Sequence, residues 1–170
     1  IYKGGSGEVI ISGDTVIENN ETYLDGGGIY LNEGNITMQS GTVSTNKAIT
    51  GEGGAIYINS GNFAMTTGTV SNNTSAYNGG AIAIRNGTFT MENGTFDSNY
   101  TTQKIGNAIN VAPEYANGTG LKGFGGAIYI KTNNNTLGKA IIKNGTFTNN
   151  RAEFAGGAIY IGDGTSEPTS

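Results

Sequence analysis

The chain has 170 residues, of which 30 are Gly and 2 are Pro, and its net charge is -4. This length predicts one domain, and the weakly acidic balance lacks the basic footprint of a nucleic-acid-binding protein. The sequence contains no Cys and no His, which excludes a disulfide framework, a thiolate metal site and histidine acid–base chemistry. No apolar run reaches the roughly 20 residues that a membrane helix needs. We therefore expect no cofactor, no metal, no nucleic-acid partner and no membrane span in this segment.

The first predicted element of each repeat is a short strand with two apolar residues separated by one position. The pairs are Val9/Ile11, Ile36/Met38, Phe63/Met65, Phe89/Met91 and Ala140/Ile142. Period-two alternation bounded by Gly and by Asn-Gly predicts strands and excludes helices.

The second element starts five residues after each pair, with Val16, Val43, Val70, Phe96 and Phe147. Each of these residues is followed three positions later by an asparagine: Asn19, Asn46, Asn73, Asn99 and Asn150. At a bend between sheets, a stacked carboxamide can bond to the coils above and below it and to the turning backbone. We therefore predict that these asparagines form a structural ladder.

The third element is a Gly-Gly strand at 26–31, 53–58, 79–84, 125–130 and 156–161. Its isoleucines fall in columns that we expect to face inward, whereas Tyr30, Tyr57, Tyr129 and Tyr160, interrupted by Ala83, line the outside. A strand of this length buries nothing alone, so each unit must stack on copies of itself. Three short strands in about 26 residues, repeated about five times, predict an all-β fold in which each repeat is one coil of a parallel β-helix, or β-solenoid.

Two insertions interrupt the repeat, at 100–124 and at 131–137, and both border the strand at 125–130. Loops on a rigid scaffold commonly carry function, so we expect a binding rim around Tyr129. Candidate binding residues are Tyr57, Tyr100, Tyr115, Lys122, Phe124, Tyr129 and Tyr160. Two alternatives stay open: the loops only decorate the coil, or the GGAIYI-like stretch at 106–111 is itself a coil strand.

The paired motifs resemble a known family. Phe96–Asn99 and Phe147–Asn150 match FxxN, and the Gly-Gly strands that start at Gly53, Gly79 and Gly125 match GGAI, as does the one at Gly156. Tandem GGA[ILV] and FxxN motifs resemble the extracellular repeats of polymorphic outer-membrane proteins, although Val16, Val43 and Val70 replace three of the five phenylalanines.

This resemblance implies a right-handed, single-stranded parallel β-helix displayed outside the cell or at its surface, commonly in adhesion. The partner would then be a host or neighbouring-cell surface protein or glycan. We expect a non-catalytic adhesive or structural segment of a longer repeat protein, and one variant of this expectation is end-to-end association into fibres.

The alternative function is a carbohydrate-active β-helix whose Tyr57, Tyr129 and Tyr160 stack on sugar rings. Polysaccharide enzymes on such a scaffold use clustered carboxylates. In this chain Asp14, Asp25, Asp97 and Asp163 hold different positions in their coils, and no acidic pair lies two residues apart on a predicted strand. The sequence therefore favours the non-catalytic interpretation.

Overall fold

The computed structural model of the chain describes residues 1–102, 123–133 and 136–163. The described residues form strands and bends and contain no helix. Each sheet runs along the stack of coils, and successive coils contribute successive strands to it. The prediction of an all-β, parallel β-solenoid of about five coils is confirmed.

The first sheet contains six strands that pair in parallel, and all of them except the first come from Gly-Gly segments. They are β1 Tyr2–Lys3, β5 Ile29–Leu31, β9 Ile56–Ile58, β13 Ile82–Ile84, β17 Ile128–Asn133 and β21 Ile159–Gly162. A short antiparallel strand, β18 Thr136–Leu137, also pairs with β17 in this sheet.

The second and third sheets contain the other two predicted elements of each coil. The second consists of β2 Glu8–Ile11, β6 Asn35–Met38, β10 Asn62–Met65, β14 Thr88–Met91 and β19 Lys139–Ile142. The third consists of β3 Val16–Glu18, β7 Thr42–Ser44, β11 Thr69–Ser71, β15 Thr95–Asp97 and β20 Thr146–Thr148.

The structure adds a fourth, two-residue strand to most coils, which the sequence pattern did not predict. These strands are β4 Glu21–Thr22, β8 Lys47–Ala48, β12 Thr74–Ser75 and β16 Tyr100–Thr101. They follow the asparagines directly, in stretches too short and too polar to show a period of two. Each coil therefore turns through a short fourth side before it reaches the Gly-Gly strand.

Equivalent side chains of successive coils lie over one another and fill the tube. Ile56 pairs with Ile29 below and with Ile82 above, and the same column continues to Ile128 and Ile159. Opposite this column, Phe63 and Phe89 pack with their ring centroids 5.7 Å apart. These residues belong to one buried apolar cluster that runs through all the coils. Parallel stacking at about 4.8 Å per coil turns each short strand into part of a continuous core.

The Gly-Gly pair is required by the bend that leads into the first sheet. The first glycine of each pair has a left-handed backbone, as at Gly53 with φ 66° and at Gly125 with φ 66°. The second glycine lies against the next coil, and a Cβ on Gly54 would overlap the carbonyl groups of Thr74 and Gly80. Only glycine fits both positions without strain.

The register of the first coil differs from the prediction by one residue. Ile17, and not Val16, pairs with Val43, so that Ile17 is 9% exposed and Val16 is 55% exposed. Six positions separate Ile11 from Ile17, whereas five separate Met38 from Val43. The extra residue in this bend moves β3 and the residues as far as Thr22 by one position, and the Gly-Gly strand regains the spacing of the other coils.

One coil is enlarged, because the successive ladder residues Asn99 and Asn150 are 51 positions apart. β17 pairs directly with β13, and β19 pairs directly with β14, on either side of the inserted residues. Residues 106–111, which we considered as a possible coil strand, lie outside the described residues. The place next to β13 in the first sheet is taken by Ile128–Ile130.

Candidate functional site

The asparagine ladder runs along the bend that follows the third sheet. Asn73 donates from its backbone N–H and its Nδ2 to Asn99 Oδ1, at 3.0 and 2.9 Å, and also from Nδ2 to the Val43 carbonyl at 3.0 Å. Asn46 makes the same three bonds one coil lower, to Asn73 Oδ1 and to the Ile17 carbonyl. Asn99 continues the pattern to Asn150. Each carboxamide therefore joins three coils.

The predicted start of this ladder at Asn19 is wrong by one residue. Asn20 occupies the position, because its backbone N–H and Nδ2 both donate to Asn46 Oδ1, at 3.1 and 2.9 Å. Asn19 has φ 56° and is the left-handed bend residue, equivalent to Thr45, Asn72, Ser98 and Asn149 in the other coils. The added residue before β3 shifts both roles together.

The tyrosine column on the outer side of the first sheet is only partly open. Tyr57 and Tyr129 are 4% and 2% exposed, whereas Tyr30 and Tyr160 are half-buried. The expectation that this column presents open rings for sugar stacking is therefore wrong at Tyr57 and Tyr129. The column packs as an aromatic cluster of Tyr57, Ala83, Phe124 and Tyr129 with Tyr30, Phe154, Ala155 and Tyr160.

Phe124 is the aromatic centre of this cluster at the upper coils. Its ring centroid lies 4.3 Å from that of Tyr160, 5.0 Å from that of Phe154 and 6.5 Å from that of Tyr129. Phe124 is fully buried, so it anchors the end of the larger insertion and offers no contact surface to a partner. The sequence analysis assigned Phe124 to the rim because it falls within the insertion predicted at 100–124.

The larger insertion is clamped where it returns to the coil. Asn78 Oδ1 accepts hydrogen bonds from the Gly123 and Phe124 N–H groups, each at 3.1 Å, while Asn78 Nδ2 donates to Glu52 Oε1 at 2.5 Å. Asn78 is buried, and it precedes a Gly-Gly pair as Asp25 and Glu52 do in the coils below. Sequence reasoning missed Asn78, because the signal is a buried amide next to an insertion and its burial is visible only in the folded coil.

The backbone pairing between coils is also kept where the larger insertion begins and where it ends. Thr101 is fully buried and its N–H donates to the Arg151 carbonyl at 3.1 Å. On the return, the Gly123 carbonyl accepts from the Phe154 N–H at 2.9 Å. Residues 100–102 and 123–124 thus belong to the coil, and the predicted bounds of 100–124 were too wide. Tyr100 is 41% exposed at this edge, whereas Tyr115 and Lys122 lie outside the described residues.

The smaller insertion extends the same Gly-Gly strand at its other end. β17 continues to Asn133 and pairs antiparallel with β18, Thr136–Leu137, as Thr132 with Leu137 and Asn133 with Thr136. The Gly138 N–H then donates to the Lys131 carbonyl at 3.2 Å. Both insertions therefore flank one strand of the first sheet.

The pKa values of the two buried tyrosines in the aromatic cluster are raised, first by burial and then by nearby carboxylates. Burial raises the pKa of Tyr57 well above its usual range, and the nearby Glu52 and Asp25 raise it further. Burial also raises the pKa of Tyr129, with Glu52 as the next largest cause. Phenols in this environment keep their protons at neutral pH. They can therefore act as hydrogen-bond donors and packing surfaces, but not as general bases.

In the part of the chain that the structure describes, no cluster of three or more Asp, Glu, His or Cys side chains comes together around a metal position. The same residues include no helix of the length and apolarity that crossing a membrane requires.

The stacked coils, the inward columns and the asparagine ladder together define a parallel β-solenoid repeat protein. Residues 67–85 and 144–162 match a family model described as the Chlamydia polymorphic membrane protein repeat. Each match covers the bend before the third sheet, the ladder asparagine and the following Gly-Gly strand. The resemblance stated from the FxxN and GGAI motifs is therefore confirmed as a polymorphic membrane protein-type repeat in these two segments. Searches among curated proteins and among solved structures found no match.

The repeat type and the fold fit a surface-displayed β-helical repeat protein. Proteins that carry this repeat are outer-membrane and surface proteins, which suggests a surface location for this chain.

Proposed function

We propose that this chain is a non-catalytic adhesive segment of an extracellular surface protein, in which a rigid solenoid presents the insertion between Thr102 and Gly123 to a partner. The partner would be a protein or glycan on a host or neighbouring cell. The proposal rests on the repeat type, on the stacked scaffold and on the place at which the repeat is interrupted.

The observation that carries the proposal is the unbroken register across the enlarged coil. Asn99 bonds to Asn150 across 51 residues with the same contacts that join Asn46 to Asn73 across 27. The scaffold thus continues as if the insertion were not there. A loop carried by a scaffold that keeps its register on both sides can vary in sequence and bind a partner.

The in-register ends make a precise excision possible. Three residues, Ala76 to Asn78, separate Ser75 from the Gly-Gly pair in the coil below. Removal of residues 103–122 leaves three residues, Thr102, Gly123 and Phe124, between Thr101 and Gly125. We expect this deletion variant to keep its β-rich circular dichroism spectrum and to lose binding to cells or glycan arrays.

A matched control changes the scaffold surface away from the insertion. Thr37→Ala with Thr90→Ala alters the outer side of the second sheet, where both residues are only partly buried. This control should bind as the unmodified chain does. Equal binding by the deletion variant and the unmodified chain would refute the role of the insertion, and product release from acidic polysaccharides would refute the non-catalytic assignment.

End-to-end association of coils stays a prediction. Negative-stain images at high protein concentration would test it, and fields of single short particles would count against it.

A further inference from the structure

Asn-Gly dipeptides are chemically labile because glycine has no side chain to shield its backbone nitrogen from the preceding carboxamide. Four of them lie in the described residues: Asn78–Gly79, Asn86–Gly87, Asn93–Gly94 and Asn144–Gly145. Three of these, at Asn86, Asn93 and Asn144, continue with the same two residues, Thr and Phe. The local sequence that follows is identical at the three sites, so any difference between them must come mainly from the fold.

At Asn93 and Asn144 the fold directs the glycine nitrogen toward the asparagine side chain. The Gly94 N–H donates to Asn93 Oδ1 at 2.9 Å, and the Gly145 N–H donates to Asn144 Oδ1 at 2.9 Å. Both asparagines are exposed, and both glycines have left-handed backbones, with φ 141° and 145°. This bend holds the carboxamide carbon beside the nitrogen that would attack it and leaves it open to water.

The other two sites are held differently. Asn78 is buried, its Oδ1 accepts from Gly123 and Phe124, and the Gly79 N–H donates to the Phe124 carbonyl at 2.9 Å. Asn86 is exposed, but Gly87 is buried against Ile58 of the coil below. Gly87 is not among the left-handed glycines, unlike Gly94 and Gly145, and the Gly79 N–H is bonded to a carbonyl of the neighbouring coil.

We propose that Asn93 and Asn144 are self-modification sites at which the bend before the third sheet promotes deamidation to aspartate and isoaspartate. The glycine nitrogen attacks Cγ and loses its proton, and the new N–Cγ bond closes a succinimide ring. The Nδ2 group takes up the proton and leaves as ammonia. Water then adds to either imide carbonyl and opens the ring. One water is consumed and one ammonia released at each site, with no change of oxidation state.

Conversion at these sites changes the surface of two neighbouring coils together. Each product carries one new negative charge, so that conversion of both asparagines moves the net charge from -4 to -6. The new charge arises next to Glu92 and Lys143, which form an ion pair at 2.7 Å. The isoaspartate product also passes the main chain through its β-carbon, which lengthens the bend between β14 and β15.

The test follows isoaspartate in the intact folded chain, incubated at neutral pH and physiological temperature, by peptide mapping with mass spectrometry. We expect isoaspartate to accumulate several-fold faster at Asn93 and Asn144 than at Asn86, and slowest at Asn78. In concentrated urea, the rates at Asn86, Asn93 and Asn144 should converge, because the residues that follow each asparagine are identical and the fold no longer separates the sites.

A matched variant shows which asparagine gives rise to the isoaspartate product. Asn93→Thr introduces the residue type that the coil below carries at the equivalent position, Thr67, and should abolish the product at that site alone while the product at Asn144 persists. Equal rates at Asn86 and Asn93 in the folded chain would overturn the proposal. A difference between these sites that persisted unchanged in urea would overturn it as well.

Discussion

Two columns of side chains run along this solenoid, and they tolerate interruption very differently. The asparagine ladder is unbroken from Asn20 to Asn150, whereas the tyrosine column on the first sheet is interrupted by Ala83. Ladder carboxamides satisfy backbone groups at a bend, where the β-sheet bonds end, so a change there leaves buried polar atoms without partners. The rings of the tyrosine column only fill space, so their place can be taken by other apolar groups. The solenoid is thus strict where its backbone needs a partner and variable where it needs only volume.

The largest expected effect comes from breaking the ladder at its centre. Asn73→Leu removes four hydrogen bonds of a fully buried carboxamide, two of them accepted from Asn46 and two donated to Val43 and Asn99. We expect a loss of about 3 to 5 kcal/mol in the free energy of unfolding, since several buried groups lose their partners. Urea denaturation measures this change.

An exposed amide pair serves as the control for the ladder. Asn62 Nδ2 donates to Asn35 Oδ1 at 3.1 Å on the outside of the second sheet. Asn62→Ala should cost less than about 1 kcal/mol, because water replaces the lost bond. Similar losses of stability in the Asn62 and Asn73 variants would mean that burial does not increase the contribution of the ladder to the free energy of unfolding.

The second effect concerns the gap in the tyrosine column. By the sequence pattern, Ala83→Tyr restores the repeat and should be harmless. Ala83 is fully buried between Tyr57 and Tyr129, so the structure gives the opposite expectation. We expect a loss of about 1 to 3 kcal/mol from overpacking.

The matching control places the same ring on an open surface. Ala64 lies on the outer side of β10 and is only partly buried. Ala64→Tyr should therefore change the free energy of unfolding by no more than about 0.5 kcal/mol. A gain of stability in Ala83→Tyr would show that the tyrosine column is a simple repeat with one defect.

Sequence periodicity predicted the columns because each residue type recurs at a fixed place in the coil. Ile29, Ile56 and Ile82 are an example, since parallel stacking has only one register that aligns them. The first coil escaped this reasoning because Val16 and Ile17 are both apolar and Asn19 and Asn20 are identical, so that both registers satisfy the pattern. The one-residue insertion after Ile11 decides between them, and only pairing reveals it.

The candidate site was less predictable than the fold for a different reason. The burial of Tyr57 and the clamp at Asn78 arise from contacts across the corner of the coil, between residues up to 46 positions apart. Periodicity reports which way a side chain points from its own strand. It contains no information about what covers that side chain, and for this reason the tyrosine column looked open.

The smallest expected effect is a dependence of stability on pH that comes from the tyrosine column and not from the asparagine ladder. The folded-state pKa of Tyr57 is raised by burial, then by Glu52 and Asp25, above the ordinary tyrosine value of 10.0. A raised folded-state pKa contributes stability that is fully present below the unfolded-state pKa and is lost as the pH rises toward the folded-state pKa.

The chain should therefore lose stability above pH 10.0, and Tyr57→Phe should make that loss shallower. Thermal unfolding of Tyr57→Phe and of the unmodified chain at neutral and alkaline pH measures the difference. The carboxamides of the asparagine ladder do not titrate, so an alkaline transition that is unchanged in Tyr57→Phe would have to originate outside this part of the tyrosine column.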